Sequence, residues 1–409
     1  MSLLLTNIGR LVGISFNNRL LRGEEMSRVD SIDNAWLLIE GEKIVDWGKM
    51  EGTPPSECEI LDLRNSWVFP SFCDSHTHIV YAGSREREFE DKIKGLSYEE
   101  IAARGGGILN SAKRLTETSE NELYSQALER VDEIIRKGTG AVEIKSGYGL
   151  TTESELKMLR VIRRIKESMP LIVKATFLGA HAVPEQYKND REGYVRLVCR
   201  EMLAAVAKEG LADFVDVFCD RGFFTVDDTR KIIDRAAEFG IPAKIHADEL
   251  ALTGGTQLAV EKNAVSVDHL EQIGDNEISA LSGSATVPTA LPGASFFSNL
   301  PFAPVRRMID SGLGVALASD FNPGSSPSGD MKFIASLGCI KMRMTPEEAV
   351  NAVTINGANA MDLQEKVGSI GRGKIANLFV TRPLSSLAEL PYYYSTPLIR
   401  RIILRGIPS

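Results

Sequence analysis

The chain has 409 residues, 43% of them hydrophobic and 25% charged, a balance typical of a globular protein with a large core. Its formal net charge is -8 and it contains no dense run of Lys and Arg, which argues against nucleic acid or an anionic membrane surface as a partner. The five cysteines are scattered without CxxC spacing, which argues against a disulfide framework or a structural zinc cluster and fits a reducing compartment. The first residues are too weakly apolar for a signal peptide, and the sequence contains no apolar span of about 20 residues, so we expect a cytoplasmic protein.

The two ends of the chain share a β-rich pattern. Near the start, the apolar runs Ala35-Trp36-Leu37-Leu38-Ile39 and Ile44-Val45-Asp46-Trp47 flank the turn Gly41-Glu42-Lys43, a pattern typical of a hairpin. The tail is similar, from Gly368 to Val380 and from Leu398 to Leu404. Because each end is too short to bury a core alone, we predict that residues 1–65 and 366–409 form one discontinuous β-domain, a small sandwich.

Between these ends, residues 66–365 alternate apolar strand-like runs with helical patterns. The clearest helix is Glu120 to Lys137, with Ser119 as its cap and Gly138 at its end; Ser154 to Met169 and Val226 to Gly240 are similar. This α/β alternation, with no GxGxxG loop after the first strand, predicts a (β/α)8 TIM-type barrel in preference to an open sheet. The eight predicted strands are Val68–His76, Ala141–Lys145, Leu171–Leu178, Phe214–Phe218, Pro242–His246, Ala264–His269, Ala285–Pro288 and Val315–Ser319.

Two of the five histidines, His76 and His78, stand close together after the apolar run Trp67-Val68-Phe69. Side chains alternate between the two faces of a strand, so both imidazoles point the same way, as two ligands of one metal ion must. By itself the pair is a moderate signal, because two unrelated surface histidines would look the same.

The other three histidines and one aspartate also follow predicted strands. His246 and His269 end their strands, His181 comes shortly after Phe177-Leu178, and Asp320 follows the last strand. In a barrel the carboxyl ends of all strands lie at one mouth, where catalytic residues gather. All five histidines can therefore converge on one cavity.

Three nitrogens and one carboxylate are available there, from His76, His78, His246 and Asp320. Such a set suits a transition metal such as zinc or iron and not Mg²⁺ or Ca²⁺, which prefer oxygen ligands. It leaves room for one water, whose pKa the metal lowers toward ~7. A second ion would need a bridging group such as a modified lysine on the fourth strand, which ends Phe218-Cys219-Asp220. We therefore expect one Zn²⁺ or Fe³⁺ per chain.

Glu249 follows His246 by three residues. At that spacing a carboxylate can take a proton from the attacking water and return it to a leaving nitrogen. His269 could hydrogen-bond the water or the carboxylate ligand. On spacing alone, Glu249 could also be a solvated side chain beside Asp248.

This constellation resembles the amidohydrolase superfamily, in which HxH ends the first strand, histidines end the fifth and sixth, and aspartate ends the eighth. The similarity narrows to the imidazolonepropionase family, and its Lys-Ser-Gly-Tyr-Gly and Asp-x-Asn-Pro-Gly segments are far more specific than HxH. The stretches that carry it span most of the chain: Phe72–His78, Glu143–Leu150, Phe177–His181, Ile245–Glu249 and Ser319–Ser326.

The resemblance implies hydrolysis of the ring C–N bond of 4-imidazolone-5-propanoate to N-formimidoyl-L-glutamate, a step of histidine breakdown. It implies that Arg85 and Tyr148 hold the propionate carboxylate and that His181 and Glu249 contact the ring. We expect His181 or the metal to polarise the ring carbonyl oxygen. The expected catalytic residues are Glu249, His269 and His181, and the residues expected to shape the floor of the pocket are Asn322, Gly324 and Ser325.

Alternatives stay open at this point. A related mononuclear amidohydrolase could deaminate a heterocyclic base, in which case it would release ammonia and have no use for Arg85. A barrel kept only for assembly would be expected to lose its metal ligands, yet all four are present. Arg85 could be a surface charge, Tyr148 a packing residue and Asn322-Pro323-Gly324 a plain turn. The expected partner is a small-molecule substrate; an exposed barrel face could also make a homodimer, but no interface can be read from the sequence.

Overall fold

The computed structural model describes residues 2–15, 17–51, 58–96, 100 and 106–408. Among the helices of these residues, none has the length and apolarity needed to cross a membrane. The strands are β1 (Ser2–Val12), β2 (Ser31–Glu40), β3 (Lys43–Lys49), β4 (Glu59–Asp62), β5 (Trp67–Pro70), β6 (Phe72–Asp74), β7 (Thr139–Lys145), β8 (Ile172–Ala180), β9 (Phe214–Cys219), β10 (Lys244–Ala247), β11 (Ser266–His269), β12 (Val287–Ala290), β13 (Ala316–Leu317), β14 (Leu378–Thr381), β15 (Ile399–Leu404) and β16 (Ile407–Pro408).

Helices follow most of the strands from β6 onward. A π-helical turn, Val198–Met202, joins two of them, and short 3₁₀ helices lie at Gly23–Ser27 and Glu185–Tyr187. The α-helices are Glu86–Ile93, Ile108–Glu117, Glu120–Arg136, Thr152–Ser168, Arg191–Leu197, Leu203–Glu209, Val226–Glu238, Gly255–Glu261, Asp275–Leu281, Pro292–Ser298, Val305–Asp310, Met331–Met342, Pro346–Ala352, Ile355–Asn359 and Glu389–Tyr392.

Strands from both chain ends pair in one mixed sheet with the order β16-β15-β14-β5-β1-β2-β3, in which β4 also pairs with β1. The predicted hairpin is confirmed as the antiparallel pair β2 and β3. Alternate side chains of these strands are buried together, among them Leu5, Leu37, Val68 and Ile403, each fully buried. The sheet reaches Pro70, beyond residue 65, and the exact division of the chain into domains stays a prediction.

The second sheet consists of β6 to β13, eight parallel strands in chain order. Its two outer strands approach each other through a bridge between Thr77 and Phe321. Backbone hydrogen bonds from Asp320 N to His76 O (3.0 Å) and from His78 N to Phe321 O (2.9 Å) continue this contact. The sheet therefore closes into a barrel, and the predicted fold class, a TIM-type barrel with a separate sheet from the chain ends, is confirmed. Closure also places the HxH motif beside Asp320.

The first predicted strand, Val68–His76, is in fact two strands in different sheets. β5 pairs with β14 of the end sheet, and β6 pairs with β7 of the barrel. The change occurs at Ser71, whose N–H donates to Asn377 O at 2.9 Å. Both strands are buried throughout, and their only charged residue is Asp74 at the end of β6, so hydrophobic periodicity gives no sign of the change.

The predicted helix near residues 120–137 forms as expected, over Glu120–Arg136. The Ser119 side chain accepts a hydrogen bond from Glu122 N at 3.2 Å, which satisfies one of the unpaired N–H groups of the first turn. Gly138, with φ of 98°, follows the helix and turns the chain into β7. The apolar side chains at helical spacing, including Leu123 and Val131, are fully buried against the barrel.

A stack of three phenylalanines joins the two sheets. The Phe379 ring lies 5.0 Å from that of Phe69 in the end sheet and 4.7 Å from that of Phe72 in the barrel, and all three are fully buried. We expect Phe379→Ala to lower the free energy of unfolding by about 3–5 kcal/mol, because it leaves a cavity between the sheets. Urea unfolding followed by fluorescence measures this. Phe296→Ala, at a ring that is 52% exposed, is the control and should change stability little; equal losses would contradict the prediction.

Candidate active site

A cavity of about 1730 Å³ opens at the carboxyl ends of the barrel strands. His76 is fully buried next to it, with its ring 5.3 Å from that of His78. Every residue predicted for the site is therefore in one place. The predicted residues that line the cavity are His78, Arg85, Tyr148, His181, His246, Glu249, His269, Asp320, Asn322, Gly324 and Ser325.

The HxH histidines and Asp320 form a tight buried cluster. The Nε2 atoms of His76 and His78 are 3.3 Å apart, and Asp320 Oδ1 lies 3.6 Å and 3.5 Å from them. The ring of His246 lies 4.4 Å from that of His76. These separations match groups that surround one ion, and His76 also belongs to a second such group with His246 and His269.

The chemistry of this cluster fits a metal ion. Both ring nitrogens of His246 are buried and have no hydrogen-bond partner among the described residues. Burial lowers the pKa of His76 and of His78 well below the ordinary value, and neighbouring charged or basic groups, Lys145 for His76 and His181 for His78, add to this. Both imidazoles are therefore neutral, the form that binds metals. Neutral imidazole nitrogens facing a buried carboxylate are the donor set expected for zinc or iron.

Strained backbone aims two of these side chains into the barrel. Asp320 has φ of 52° and His269 has φ of 86°, in the left-handed region that residues with side chains rarely adopt. His269 is the last residue of β11, and Asp320 lies three residues beyond the end of β13. Such strain concentrates at functional sites, where the surrounding structure holds it.

Glu249 lies beside the cluster and is not a member of it. Its Oε2 is 3.7 Å from His269 Nδ1, and its side chain is 13% exposed. Burial raises the pKa of the Glu249 carboxyl above its ordinary value, while His269 opposes this. Burial lowers the pKa of His269, but the carboxylates of Glu249 and Glu271 outweigh it and raise that pKa. Glu249 and His269 thus form a pair that can hold or release a proton next to the histidine cluster.

Asp220 fixes the loop that carries Glu249, and sequence reasoning gave it no role. This buried carboxylate accepts hydrogen bonds from the backbone N–H groups of Glu249 (2.8 Å), Leu250 (3.0 Å) and Ala251 (3.2 Å). Three donors on one carboxylate hold the backbone in a single conformation. The sequence feature that could have identified Asp220 is its position at the end of the fourth barrel strand.

Arg85 reaches the cavity from the loop after the first barrel strand. One edge of its guanidinium donates to Glu88 Oε2, from Nε at 2.8 Å and from Nη2 at 2.5 Å. Its Nη1 lies against Gly324, where a Cβ atom would come within 2.2 Å, so only glycine leaves room for it. Sequence reasoning did not identify Glu88, although its i,i+3 spacing to Arg85 is a signal for such a pair. Tyr148 lines the same cavity, and burial raises its pKa above the ordinary value.

Asn322 and Ser325 organise the loop after Asp320. Asn322 Oδ1 accepts from the N–H groups of Gly324 and Ser325, both at 2.8 Å, and its Nδ2 donates to Asp320 O at 2.7 Å. The Ser325 hydroxyl donates to Asp320 Oδ2 at 3.4 Å. The amide of Asn322 is therefore used within its own turn, and this turn positions the carboxylate of Asp320.

His181 stacks on His78, with ring centroids 5.2 Å apart and an interplanar angle of 15°. Its Nδ1 lies 3.0 Å from Gly147 O, and a carbonyl can only accept, so Nδ1 carries the proton. Burial lowers the pKa of His181 to about 3, so its Nε2 is an acceptor. This differs from the expectation that His181 polarises a carbonyl oxygen, which needs a donor.

Comparisons with known proteins identify the family of this chain. The model of the Amidohydrolase family matches residues 67–397. The chain is 52% identical over 408 residues to the imidazolonepropionase of Christiangramia forsetii, with 99% of each chain covered, and 53% identical over 385 residues to that of Flavobacterium johnsoniae, with 94% of each covered. Among solved structures, an adenosine deaminase from Xanthomonas campestris with bound zinc matches with a TM-score of 0.73 and 15% sequence identity. The match covers 99% of this chain and 92% of the deaminase chain, and it shows a shared fold. The chain belongs to the amidohydrolase family and, within it, to the imidazolonepropionases.

Proposed function

We propose that this protein hydrolyses the ring C–N bond of 4-imidazolone-5-propanoate to N-formimidoyl-L-glutamate in histidine degradation. The observation that best supports this substrate is that Arg85 lines the same cavity as the histidine cluster. A guanidinium binds a carboxylate through paired hydrogen bonds. The Arg85 guanidinium lines the same cavity as the groups suited to hydrolysis. The imidazolonepropionases to which the chain is similar support the same substrate.

One metal ion per chain would be held by His76, His78, His246 and Asp320. When bound, Zn²⁺ or Fe³⁺ supplies a Lewis acid that lowers the pKa of a water molecule toward ~7. Imidazole and carboxylate ligands accept both metals, so the ion is to be identified by elemental analysis of the purified protein.

Glu249 would serve as the proton carrier. As the water oxygen adds to the ring carbonyl carbon, Glu249 takes a proton from the water, and it returns that proton to the ring nitrogen when the C–N bond breaks. His269, 3.7 Å from Glu249, orients this carboxylate. Asp220 holds the loop backbone, so the carboxylate meets the substrate in one position.

The remaining side chains would bind and orient the substrate. Arg85 and Tyr148 hold the propionate, and Gly324 leaves room for the guanidinium. His181, with Nδ1 held by Gly147 O, accepts a hydrogen bond from a ring N–H at its Nε2. Asn322 and Ser325 act through the turn that positions Asp320.

Arg85→Ala is expected to lower kcat/KM for 4-imidazolone-5-propanoate by about 10²-fold, mainly through KM, because hydrogen bonds to a charged group contribute about 1.5–3 kcal/mol each. The ultraviolet absorbance of the substrate measures its consumption. Arg87→Ala is the matched control, because Arg87 is an exposed arginine two residues further on, in the helix Glu86–Ile93.

Two results would overturn the proposed function. One is metal-loaded protein that leaves 4-imidazolone-5-propanoate untouched. The other is release of ammonia from a heterocyclic base with no loss of rate in Arg85→Ala, which would indicate a deaminase.

A further inference from the structure

Five charged side chains lie inside the barrel, next to the histidine cluster. All are fully buried, although charged residues are almost never fully buried unless they are paired. Glu143 and Lys145 are two positions apart on β7 and therefore share one face of that strand. Their ion pairs with the other three side chains place all five on the inner face of the barrel. They are Glu143 and Lys145 on β7, Asp216 on β9, Lys244 on β10 and Asp268 on β11, and we call them the barrel network.

The two lysines bridge the three carboxylates. Lys145 Nζ lies 2.6 Å from Glu143 Oε1, 2.8 Å from Asp216 Oδ2 and 3.7 Å from Asp268 Oδ2. Lys244 Nζ also pairs with Glu143, donates to the backbone oxygen of Ser75 at 2.7 Å and lies 3.7 Å from Asp268 Oδ2. Each aspartate therefore has at least one lysine Nζ within 3.7 Å.

The two aspartates each contact a histidine of the cluster. Asp268 Oδ2 lies 2.7 Å from His76 Nδ1, and Asp216 Oδ2 lies 2.9 Å from His246 Nδ1. A carboxylate can only accept a hydrogen bond, so Nδ1 of His76, which is hydrogen-bonded to Asp268, carries a proton, and the lone pair of His76 lies on Nε2, 3.6 Å from Asp320 Oδ1. His246 Nδ1 lies 2.9 Å from Asp216 Oδ2, but the angles of this contact are not those of a hydrogen bond.

We propose that Asp216 and Asp268 of the barrel network are positioning residues that fix His76 and His246 in the Nδ1–H tautomer and present their Nε2 atoms to the metal. The two lysines hold the aspartates in place. The inference rests on the metal site of the proposed function. It extends that site to two aspartates that do not contact the ion, and partners of this kind typically change metal affinity by 10–100-fold.

The test compares amide variants that keep the shape of each side chain. Asp268→Asn and Asp216→Asn remove a carboxylate that contacts a histidine. Glu143→Gln is the matched control, since it removes the same charge from the same network but contacts lysines and Thr176 and no histidine. Lysine variants are avoided, because they leave buried carboxylates without a counter-charge and favour unfolding.

Zinc affinity is measured by competition between the metal-free full-length protein and a chromophoric chelator, with thermal unfolding of each metal-free variant recorded in parallel. We expect the dissociation constant for Zn²⁺ to rise by about 10–100-fold in Asp268→Asn and Asp216→Asn and by less than about threefold in Glu143→Gln. Unchanged zinc affinity in both aspartate variants, or an equal loss in Glu143→Gln, would overturn the proposal.

A second measurement reads the proposed tautomers directly in the unsubstituted protein. The tautomers of all five histidines are read from ¹⁵N shifts of the ring nitrogens in the metal-free protein, assigned through single His→Gln variants. We expect the Nδ1–H pattern for His76 and His246, and an Nε2–H pattern for either would overturn the proposal. Neither measurement involves turnover, so an inactive protein with these properties would refute the proposed substrate and leave this inference standing.

Discussion

Removing the bound metal with a chelator is expected to lower kcat by about 10³-fold or more, and adding one equivalent of Zn²⁺ or Fe³⁺ per chain should restore it. The reason is that an ion among His76, His78, His246 and Asp320 lowers the barrier for water attack by several kcal/mol. Turnover of 4-imidazolone-5-propanoate and elemental analysis are measured on the same samples.

Dialysis without chelator is the control for this experiment, and circular dichroism before and after chelation checks that the barrel remains folded. Full turnover by protein shown to be metal-free would contradict a metal-dependent reaction. A requirement for two equivalents would instead contradict the single ion expected from a fourth barrel strand that ends in Cys219 and Asp220 and carries no lysine there.

Glu249→Gln is expected to lower kcat by about 10²-fold or more with the metal content unchanged. The amide keeps the size of the side chain and its place beside His269 but cannot take a proton from water. Because Glu249 is not part of the ligand cluster around His76 and Asp320, the ion should still bind. Single-turnover rates and elemental analysis of the same preparation provide the two readouts.

Glu271→Gln is the matched control for that variant. Glu271 Oε2 lies 3.6 Å from His269 Nδ1, as close as Glu249, but Glu271 is not among the residues that line the cavity. We expect it to lose much less activity than Glu249→Gln. Near-normal turnover by fully loaded Glu249→Gln would remove Glu249 from the mechanism.

The fold and the histidine cluster could be predicted because both depend on local patterns. Strand–helix alternation marked all eight barrel strands, and His76, His246 and Asp320 follow apolar runs, so their convergence needs only the rule that strand ends of a barrel share one mouth. The change of sheet at Ser71 was not predictable, since the residues on either side of it, Trp67–Pro70 and Phe72-Cys73, are all apolar and buried.

The barrel network could not be predicted for a different reason. Charged side chains are usually exposed, so the sequence gives no reason to expect Lys145, Asp216 and Lys244 to be buried. Their burial depends on partners that lie on other strands, for example Lys145 with Asp216, 71 positions apart in the chain. Which side chains meet across parallel strands depends on the strand register, and that register becomes visible only in the folded barrel.

The contact between the ends of β6 and β13 determines when during synthesis the metal site can form. His76 and His78 lie there beside Asp320, which follows them by about 240 residues in the chain. During synthesis the HxH pair leaves the ribosome long before its carboxylate partner exists, so a nascent chain can offer an ion only an incomplete set of donors. Unlike a zinc finger, whose ligands lie within one short peptide, this protein can select its metal only after the last barrel strand has been made and docked.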